Sequence, residues 1–238
     1  MAYIPNLNLI GCLMFPNVSS PGPLIAGAIL AGGQSRRMGK PKEGVLLWDN
    51  LSMLEHVAQA LRFMEHPVII VGQCSGYPIN NDLSFVRLMD EYPGRGPAFA
   101  LKTLLSSGLA DYYLLASCDQ PLLESALLQQ LVDEISTHPE QAIFFKSVNK
   151  SQNGEINFDP FPGVYPASLL PQVEQAIQQG QFALRKLFQA QSVHWVSLPE
   201  DQEFRLKNCN TPADVEAVNL LLSDPKQQLP IPIHAVSS

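Results

Sequence analysis

Glycine and basic residues stand side by side early in the chain, in a combination that could bind phosphate. An apolar run from Leu24 to Ala31 is followed by Gly32-Gly33, where residues without a Cβ can adopt positive φ and let a ligand approach the backbone. Four cations then fall within the next residues: Arg36, Arg37, Lys40 and Lys42. Backbone N–H donors at the end of a strand, followed by cations, are the groups that hold a polyphosphate. The segment therefore predicts a polyphosphate-binding loop.

Two familiar phosphate-binding loops do not fit this segment. A Walker loop needs Gly-Lys-Ser/Thr, whereas Lys40 is followed by Pro41, so no hydroxyl is available for magnesium. A dinucleotide fingerprint opens directly into a helix, and Pro41 disfavours helical backbone at Lys40. A basic surface turn is the plain alternative, but it does not account for the glycine pair. The basic loop also argues against a dehydrogenase.

Carboxylates directly follow two further apolar segments. Asp90 comes after a predicted strand at residues 85–88, and Asp119 comes after a predicted strand at residues 112–116. In open α/β sheets, ligands bind beyond the carboxyl ends of the strands, so Gly32, Asp90 and Asp119 should converge on one crevice. An Asp before a turn proline can simply cap the turn. Three such features together favour a shared site.

The composition fits one globular domain. The chain has 238 residues, 46% of them hydrophobic, which is enough to bury a substantial core. Its net charge of −7 leaves no broad basic face for nucleic acid, and no run approaches the roughly 18 apolar residues of a membrane span. The four cysteines contain no C-x-x-C and the five histidines have no ligand-like spacing, so neither a disulfide framework nor a zinc site is indicated. We expect a cytoplasmic protein that binds neither nucleic acid nor membranes.

The chain must position these groups with alternating strands and helices, as in an α/β fold. Strands are predicted at 24–31, 67–71, 85–88, 112–116, 142–148 and 193–198. Helices are predicted at 52–63, 97–107, 125–136, 168–179, 182–189 and from 211 onwards. Ser52 and Glu55 have the spacing of a capping box, and Thr211-Pro212 fits a helix entry. We expect a polar flap at 147–157, irregular backbone at 158–163 and an extended piece at 204–208.

The expected domain organisation is a single domain between two loose ends. Residues 1–23 form an irregular arm, residues 24–222 form the domain, and residues 223–238 form a flexible tail. Within the domain, we expect a nucleotide-binding half at 24–148 and an acceptor-side half at 149–222.

Three motifs, in this order, resemble those of the MobA-like molybdenum cofactor guanylyltransferases. They are L-A-G-G-Q-S-R-R-M-G from Leu30 to Gly39 followed by Lys42, C-D-Q-P from Cys118 to Pro121, and N-C-N-T-P from Asn208 to Pro212. The resemblance covers about residues 25–222. It implies a Rossmann-like three-layer α/β/α nucleotidyltransferase fold, with a mostly parallel central sheet and a small acceptor-side lobe.

The resemblance also implies a reaction, which is transfer of GMP from GTP to the terminal phosphate of the molybdenum-molybdopterin cofactor with release of pyrophosphate. It assigns nucleotide binding to Leu30, Ala31, Gly32, Gly33, Lys42, Asp90 and Asp119. It makes Arg37 and Lys42 the phosphate-facing catalytic cations and Asp119 the catalytic ligand of Mg²⁺. Asn208 and Asn210 would contact the molybdopterin acceptor. Molybdoenzymes or their chaperones are the protein partners that it implies.

The chain departs from the family pattern at several positions, and other transferases stay open as alternatives. Some members have Asn where this chain has Gly72, which leaves one guanosine contact unassigned, and many have Asp at Pro41 and G-P-L-A-G at residues 96–100. A CTP-dependent molybdopterin cytidylyltransferase is one alternative, although its opening is more often L-A-A-G, so Gly32-Gly33 favours guanine. A sugar-1-phosphate nucleotidyltransferase would have no use for Asn208 and Asn210. A non-enzymatic nucleotide sensor would not need both Asp119 and Lys42.

Overall fold

A central sheet runs through the computed structural model, which describes residues 22–32, 38, 41–64, 66–72, 85–146, 158–189 and 192–223. Its strands are β1 (Ile25–Ala31), β2 (Val68–Gly72), β3 (Phe85–Leu88), β4 (Tyr112–Ser117), β5 (Ala142–Lys146), β6 (Gly163–Pro166) and β7 (Val193–Ser197). Within the described residues the sheet has seven strands in the order β3-β2-β1-β4-β6-β5-β7. Strand β6 is antiparallel to β4 and β5, and the other pairings are parallel. The predicted mostly parallel sheet is confirmed.

Helices cover both faces of the sheet. They are α1 (Met53–Ala60), α2 (Pro97–Leu105), α3 (Ser125–Asp133), α4 (Leu170–Gln178), α5 (Leu184–Gln189) and α6 (Pro212–Ser223). Side chains alternate between the two faces along a strand. In β1, Ala28 packs with α2, α4 and α5, whereas Ile29 packs with α1 and α3. The result is the predicted three-layer α/β/α arrangement, with one apolar core on each face of the sheet.

The structure confirms the predicted helix caps at Ser52 and Thr211. The Ser52 Oγ accepts a hydrogen bond from the Glu55 backbone N–H at 3.2 Å, and the Ser52 N–H donates to Glu55 Oε2 at 2.8 Å, which is a complete capping box. At the start of α6, Thr211 Oγ1 accepts from the Asp214 N–H at 3.2 Å. Helix α1 ends at Ala60, three residues before the predicted end, and the next residues form a 3₁₀ turn at Arg62–Met64.

Two expectations about the second half of the chain are wrong. Residues 204–206 are not extended, because they end a 3₁₀ helix at Glu200–Leu206 whose first turn carries three acidic residues, which favour a helix N-terminus. The sequence reading also assigned no strand after the irregular segment 158–163, whereas Gly163–Pro166 forms β6 in the middle of the sheet. A strand of Gly-Val-Tyr-Pro has little intrinsic strand preference. It is specified by packing, because a Cβ on Gly163 would lie 2.5 Å from the Phe144 ring.

The acceptor-side half contributes β6 and β7 to the same sheet as the nucleotide-binding half. Most of the predicted arm at 1–23, the predicted flap at 147–157 and nearly all of the tail at 223–238 lie outside the described residues. Across the described part of the chain, no helix combines the length and the apolar character needed to cross a membrane.

Candidate active site

The predicted nucleotide residues meet at the carboxyl edge of the parallel strands. Gly32 follows β1, Asp90 follows β3 by two residues and Asp119 follows β4 by two residues. Strands β3 and β4 are three positions apart in the sheet order, which corresponds to about 14 Å at about 4.8 Å per strand. Asp90 and Asp119 therefore lie at the same edge of the sheet, but on strands that are not neighbours.

The backbone at the end of β1 is shaped for close approach. Leu30 and Ala31 are the last residues of β1, and the Leu30 carbonyl accepts a hydrogen bond from the Cys118 N–H at 3.1 Å. Gly32 is exposed and has φ +103°, a conformation that favours glycine. Gly33 and Arg37, which the family resemblance assigns to phosphate binding, lie outside the described residues.

Lys42, Asp119 and Asn210 form the centre of the site. The Lys42 Nζ lies 2.9 Å from Asp119 Oδ2 and also donates to Asn210 Oδ1. The other carboxylate oxygen, Asp119 Oδ1, accepts from Ser117 Oγ at 2.6 Å. The Lys42 and Asp119 side chains are 20% and 14% exposed, so solvent and ligands can reach the pair. Residues separated by up to 168 positions in the sequence thus meet around the ammonium group of Lys42.

A third apolar cluster holds these residues together. It consists of Val45, Leu47, Met53, Leu122, Cys209 and Val218. The cluster packs the segment after Lys42 and helix α6 against the loop that carries Asp119. The Cys209 N–H also donates to the Asp119 backbone carbonyl at 2.7 Å. The Asn-Cys-Asn segment is therefore fixed directly against the Asp119 loop.

Gln120 connects the two halves of the site, a role that the sequence reading did not assign to it. Its side chain is fully buried. Nε2 donates to the Phe161 carbonyl at 2.8 Å and to the Leu206 carbonyl at 3.2 Å, and Oε1 accepts from the Ser117 N–H at 3.4 Å. Its position between Asp119 and a turn proline is the only sequence signal for this role.

A second carboxylate lies on the acceptor side. Asp159 Oδ2 accepts from Asn208 Nδ2 at 2.9 Å, and Asp159 Oδ1 accepts from the Phe161 N–H at 3.0 Å. Burial raises the pKa of Asp159, and the hydrogen bond from Asn208 opposes that rise. The sequence does not predict a site role for Asp159, because it lies in a segment with no strand or helix periodicity.

Asp159 borders a cavity of about 270 Å³. Its lining residues include the almost fully buried Phe145 and Phe158 and the charged residues Arg185 and Glu203. The Arg185 guanidinium carbon lies 5.8 Å from the centre of the Phe158 ring. Apolar residues with a few charged groups among them are the usual lining of a small-molecule site.

The two predicted acceptor residues have different partners. Asn208 is bonded to Asp159, whereas Asn210 is bonded to Lys42. Asp90 Oδ1 accepts from the Tyr92 N–H at 2.9 Å, which closes a local turn.

Gly72 cannot be replaced by the Asn that some family members have without moving the backbone. Its φ is +107°, and a Cβ there would lie 2.1 Å from the carbonyl oxygen of Ala31. The neighbouring end of β1 therefore excludes a side chain at this position.

The two cysteines near Asp119 are not activated thiols. Cys118 and Cys209 are free and buried. Burial is the main cause that raises the pKa of Cys209 to about 11 and that of Cys118 still further. Both groups are protonated at neutral pH and are poor nucleophiles.

The sequence profile of the MobA-like NTP transferase domain matches residues 27–195 of this chain. The chain belongs to the MobA-like NTP transferase family. Membership makes it a nucleotidyltransferase, which agrees with a site that offers open backbone, a cation and a carboxylate at one sheet edge.

Individual relatives extend over most of the chain. It is 28% identical over 197 residues to a protein of Flavobacterium johnsoniae named "Probable molybdenum cofactor guanylyltransferase", covering 82% of this chain and 96% of the relative. It is also 28% identical over 198 residues to the molybdenum cofactor guanylyltransferase of Pseudomonas syringae, covering 82% and 94%. The crystal structure of molybdopterin-guanine dinucleotide biosynthesis protein A from Archaeoglobus fulgidus matches with a TM-score of 0.66 at 20% identity, covering 83% of this chain and 98% of that one. This structural match establishes the shared fold.

Proposed function

We propose that this nucleotidyltransferase transfers GMP from GTP to the terminal phosphate of the molybdenum-molybdopterin cofactor. The observation that carries the proposal is the meeting of Asp119 and Asn210 at the ammonium group of Lys42, at the same sheet edge as the glycine turn that ends β1. These residues come from the three motifs that the guanylyltransferases share. The names of the full-length relatives support guanine as the base and molybdopterin as the acceptor.

The donor atoms around Asp119 fit Mg²⁺, which we propose as the cofactor. Magnesium binds oxygen ligands, and in nucleotide sites it uses one or two carboxylates together with substrate phosphates. Asp119 offers two carboxylate oxygens on a partly exposed side chain, and Oδ2 already lies beside the ammonium group of Lys42. Asp119 would therefore hold the ion. When bound, Mg²⁺ supplies positive charge that stabilises the phosphate oxygens.

The protein's part in the proposed reaction is alignment and charge neutralisation. An oxygen of the acceptor's terminal phosphate attacks the α-phosphorus of GTP, forming a new P–O bond. The bond between the α-phosphorus and the bridging oxygen breaks, and pyrophosphate leaves with that electron pair. Lys42 would turn from Asp119 toward the phosphates and stabilise the charge that develops on them. The acceptor phosphate is already ionised at neutral pH, so no general base is required.

We further propose that GTP lies along the edge from Gly32 to Asp90, with its phosphates toward Lys42, and that the acceptor approaches from the Asp159 side. The cavity beside Asp159 is bordered by apolar residues and by a carboxylate that can accept hydrogen bonds from the N–H groups of a polar ligand. Asn208 orients that carboxylate. The two substrates would then meet at Asp119, between the two regions.

The test is pyrophosphate release by the purified full-length protein with molybdenum-loaded molybdopterin as acceptor, comparing GTP, CTP and a sugar 1-phosphate control. We expect release with GTP and the molybdopterin acceptor, and at least 10-fold less with CTP. Faster release with CTP would identify a cytidylyltransferase, and release only with the sugar phosphate would replace the acceptor. We expect the reaction in the cytoplasm, in keeping with free buried cysteines among the described residues. Molybdoenzymes or their chaperones would receive the product.

A further inference from the structure

Two histidines and a glutamate meet at the edge of the sheet opposite the active site. His138 precedes β5, and His194 is the second residue of the neighbouring strand β7. Both therefore lie at the amino ends of strands, whereas Asp119 lies at a carboxyl end. Glu134 begins the 3₁₀ turn that follows α3. The three residues have no part in the nucleotidyl transfer proposed above.

The ligand atoms of these residues are close enough for one ion. One such atom from each of Glu134, His138 and His194 can be chosen so that all three lie within 4.8 Å of one another. His194 Nε2 is 3.2 Å from Glu134 Oε2. The two imidazole rings are 3.5 Å apart between centres, so their side chains would rotate apart for both to bind one ion. Ligands about 2.0–2.1 Å from zinc at the corners of a tetrahedron are about 3.3 Å apart. The observed separation between His194 and Glu134 already matches that edge.

Backbone hydrogen bonds fix the positions from which these side chains extend. The His138 N–H donates to the Glu134 carbonyl at 3.0 Å, which sets the two residues one helical turn apart. The Thr137 hydroxyl donates to the same carbonyl at 3.0 Å. His194 is held by its parallel pairing with Ile143 in β5. Little rearrangement of the main chain would be needed to bind an ion.

The chemistry of the group selects among ions. Two imidazole nitrogens with one carboxylate oxygen are a ligand set that zinc and similar transition metals use, with the fourth position left for water. Magnesium prefers oxygen ligands, so it would not compete well here.

We propose that Glu134, His138 and His194 form a zinc-type metal site, separate from the catalytic centre, that ties the end of α3 to the edge strand β7. The sequence reading found no ligand-like histidine spacing because 56 positions separate the two histidines, and only the pairing of β5 with β7 brings them together. A bound ion would stabilise the folded chain by binding it and not the unfolded chain.

The test is zinc binding by the untagged full-length protein, measured by equilibrium dialysis with excess MgCl₂ to occupy oxygen-ligand sites. We expect one zinc ion per chain that is lost, or bound at least 10-fold more weakly, in each of His138→Gln, His194→Gln and Glu134→Gln. The matched control is His56→Gln. His56 Nε2 lies 3.1 Å from Asp49 Oδ1, so it is also a histidine–carboxylate pair, but it belongs to no three-ligand group within the described residues.

A thermal denaturation series gives a second readout. Zinc should raise the melting temperature of the wild type and of His56→Gln, and should leave those of the three ligand variants unchanged. Variants that melt at the wild-type temperature without zinc but lose the increase would support a metal site. Wild-type protein that binds no zinc, or zinc binding that all three substitutions leave unchanged, would overturn the proposal and leave a simple histidine–glutamate ion pair.

Discussion

The two carboxylates of the crevice are stabilised in opposite ways. Asp119 lies beside a cation, Lys42, and also accepts a hydrogen bond from the Ser117 hydroxyl. Asp159 has two neutral hydrogen-bond donors, Asn208 and the Phe161 N–H, and burial raises its pKa. Both lie at the same sheet edge, but Asp119 forms an ion pair with Lys42, whereas the charge of Arg185 lowers the pKa of Asp159 by less than burial raises it.

The difference indicates what each carboxylate is suited to bind. A partly exposed carboxylate next to a lysine can exchange that lysine for a metal ion. A carboxylate whose hydrogen-bond donors are neutral is better suited to a polar, uncharged group such as the edge of a heterocycle. The region of Asp119 therefore fits the reacting phosphates, and the region of Asp159 fits recognition of the acceptor.

The largest effect is expected from Asp119→Ala. Transfer should fall by about 10³-fold or more, because the carboxylate is proposed to hold the ion that neutralises the phosphates. The fold should be largely intact, since the side chain is not part of an apolar cluster. Steady-state kinetics with magnesium measures the loss, with Asp133→Ala, an exposed aspartate on α3, as the matched control. Near wild-type turnover would remove the metal role of Asp119.

Lys42→Ala should lower transfer by about 10²-fold, on the scale of removing one preorganised charge-stabilising donor. Its matched control is Lys102→Ala, which removes an ion pair between helices α2 and α4. In that pair, Lys102 Nζ lies 3.5 Å from Glu174 Oε1. Exposed pairs of this kind contribute little, so the control should have wild-type kinetics. If both variants have equal rates, Lys42 is an ordinary surface lysine and the phosphate assignment fails.

The two asparagines should have different kinetic effects when they are replaced one at a time. Asn208→Ala should raise the KM for the acceptor about 10-fold, as expected for one lost hydrogen bond, while GTP affinity measured by calorimetry stays unchanged. Asn210→Ala should affect turnover as well, because its partner is Lys42. The double variant should then weaken acceptor binding without weakening GTP binding. Equal loss for both substrates would indicate a folding defect, and no loss for either would remove the acceptor assignment.

The nucleotide region could be predicted from sequence because its signals are local. The glycine turn follows β1, and Asp119 follows β4, so an apolar run with its next few residues identifies each group. Parallel strands place their carboxyl ends at one edge, which makes convergence predictable without knowing the strand order.

The contacts of the acceptor region could not be predicted from the sequence, because they join residues that are far apart in it. Gln120 bonds to Phe161 and Leu206, which are 41 and 86 positions away. Strand β6 has only two residues that favour strands, and its place in the sheet is fixed by Phe144 packing over Gly163. Similarly, Asp159 is recognisable only once Asn208 is placed against it. Patterns of period 2 or 3.6 carry no information on such pairings.

The smallest expected effect concerns stability, and it tests the raised pKa of Asp159 directly. Because the folded-state pKa lies above the ordinary value of about 3.9, the folded chain binds more protons than the unfolded chain between those two pKa values. The stability linked to protonated Asp159 is thus fully present below about pH 3.9 and is lost as the pH rises through the folded-state pKa.

In Asp159→Asn this pH-dependent loss is absent, so the unfolding free energy of the variant relative to wild type should rise between pH 4 and pH 7. Urea denaturation across that range measures the difference. Asp201→Asn, an exposed aspartate in the 3₁₀ helix before Leu206, controls for removing one negative charge. The acceptor KM of Asp159→Asn should rise at neutral pH, because Asn presents only one acceptor oxygen where the carboxylate presents two. A relative stability that falls with rising pH would mean that hydrogen bonds and Arg185 stabilise the Asp159 anion by more than burial destabilises it, and the contrast with Asp119 would then disappear.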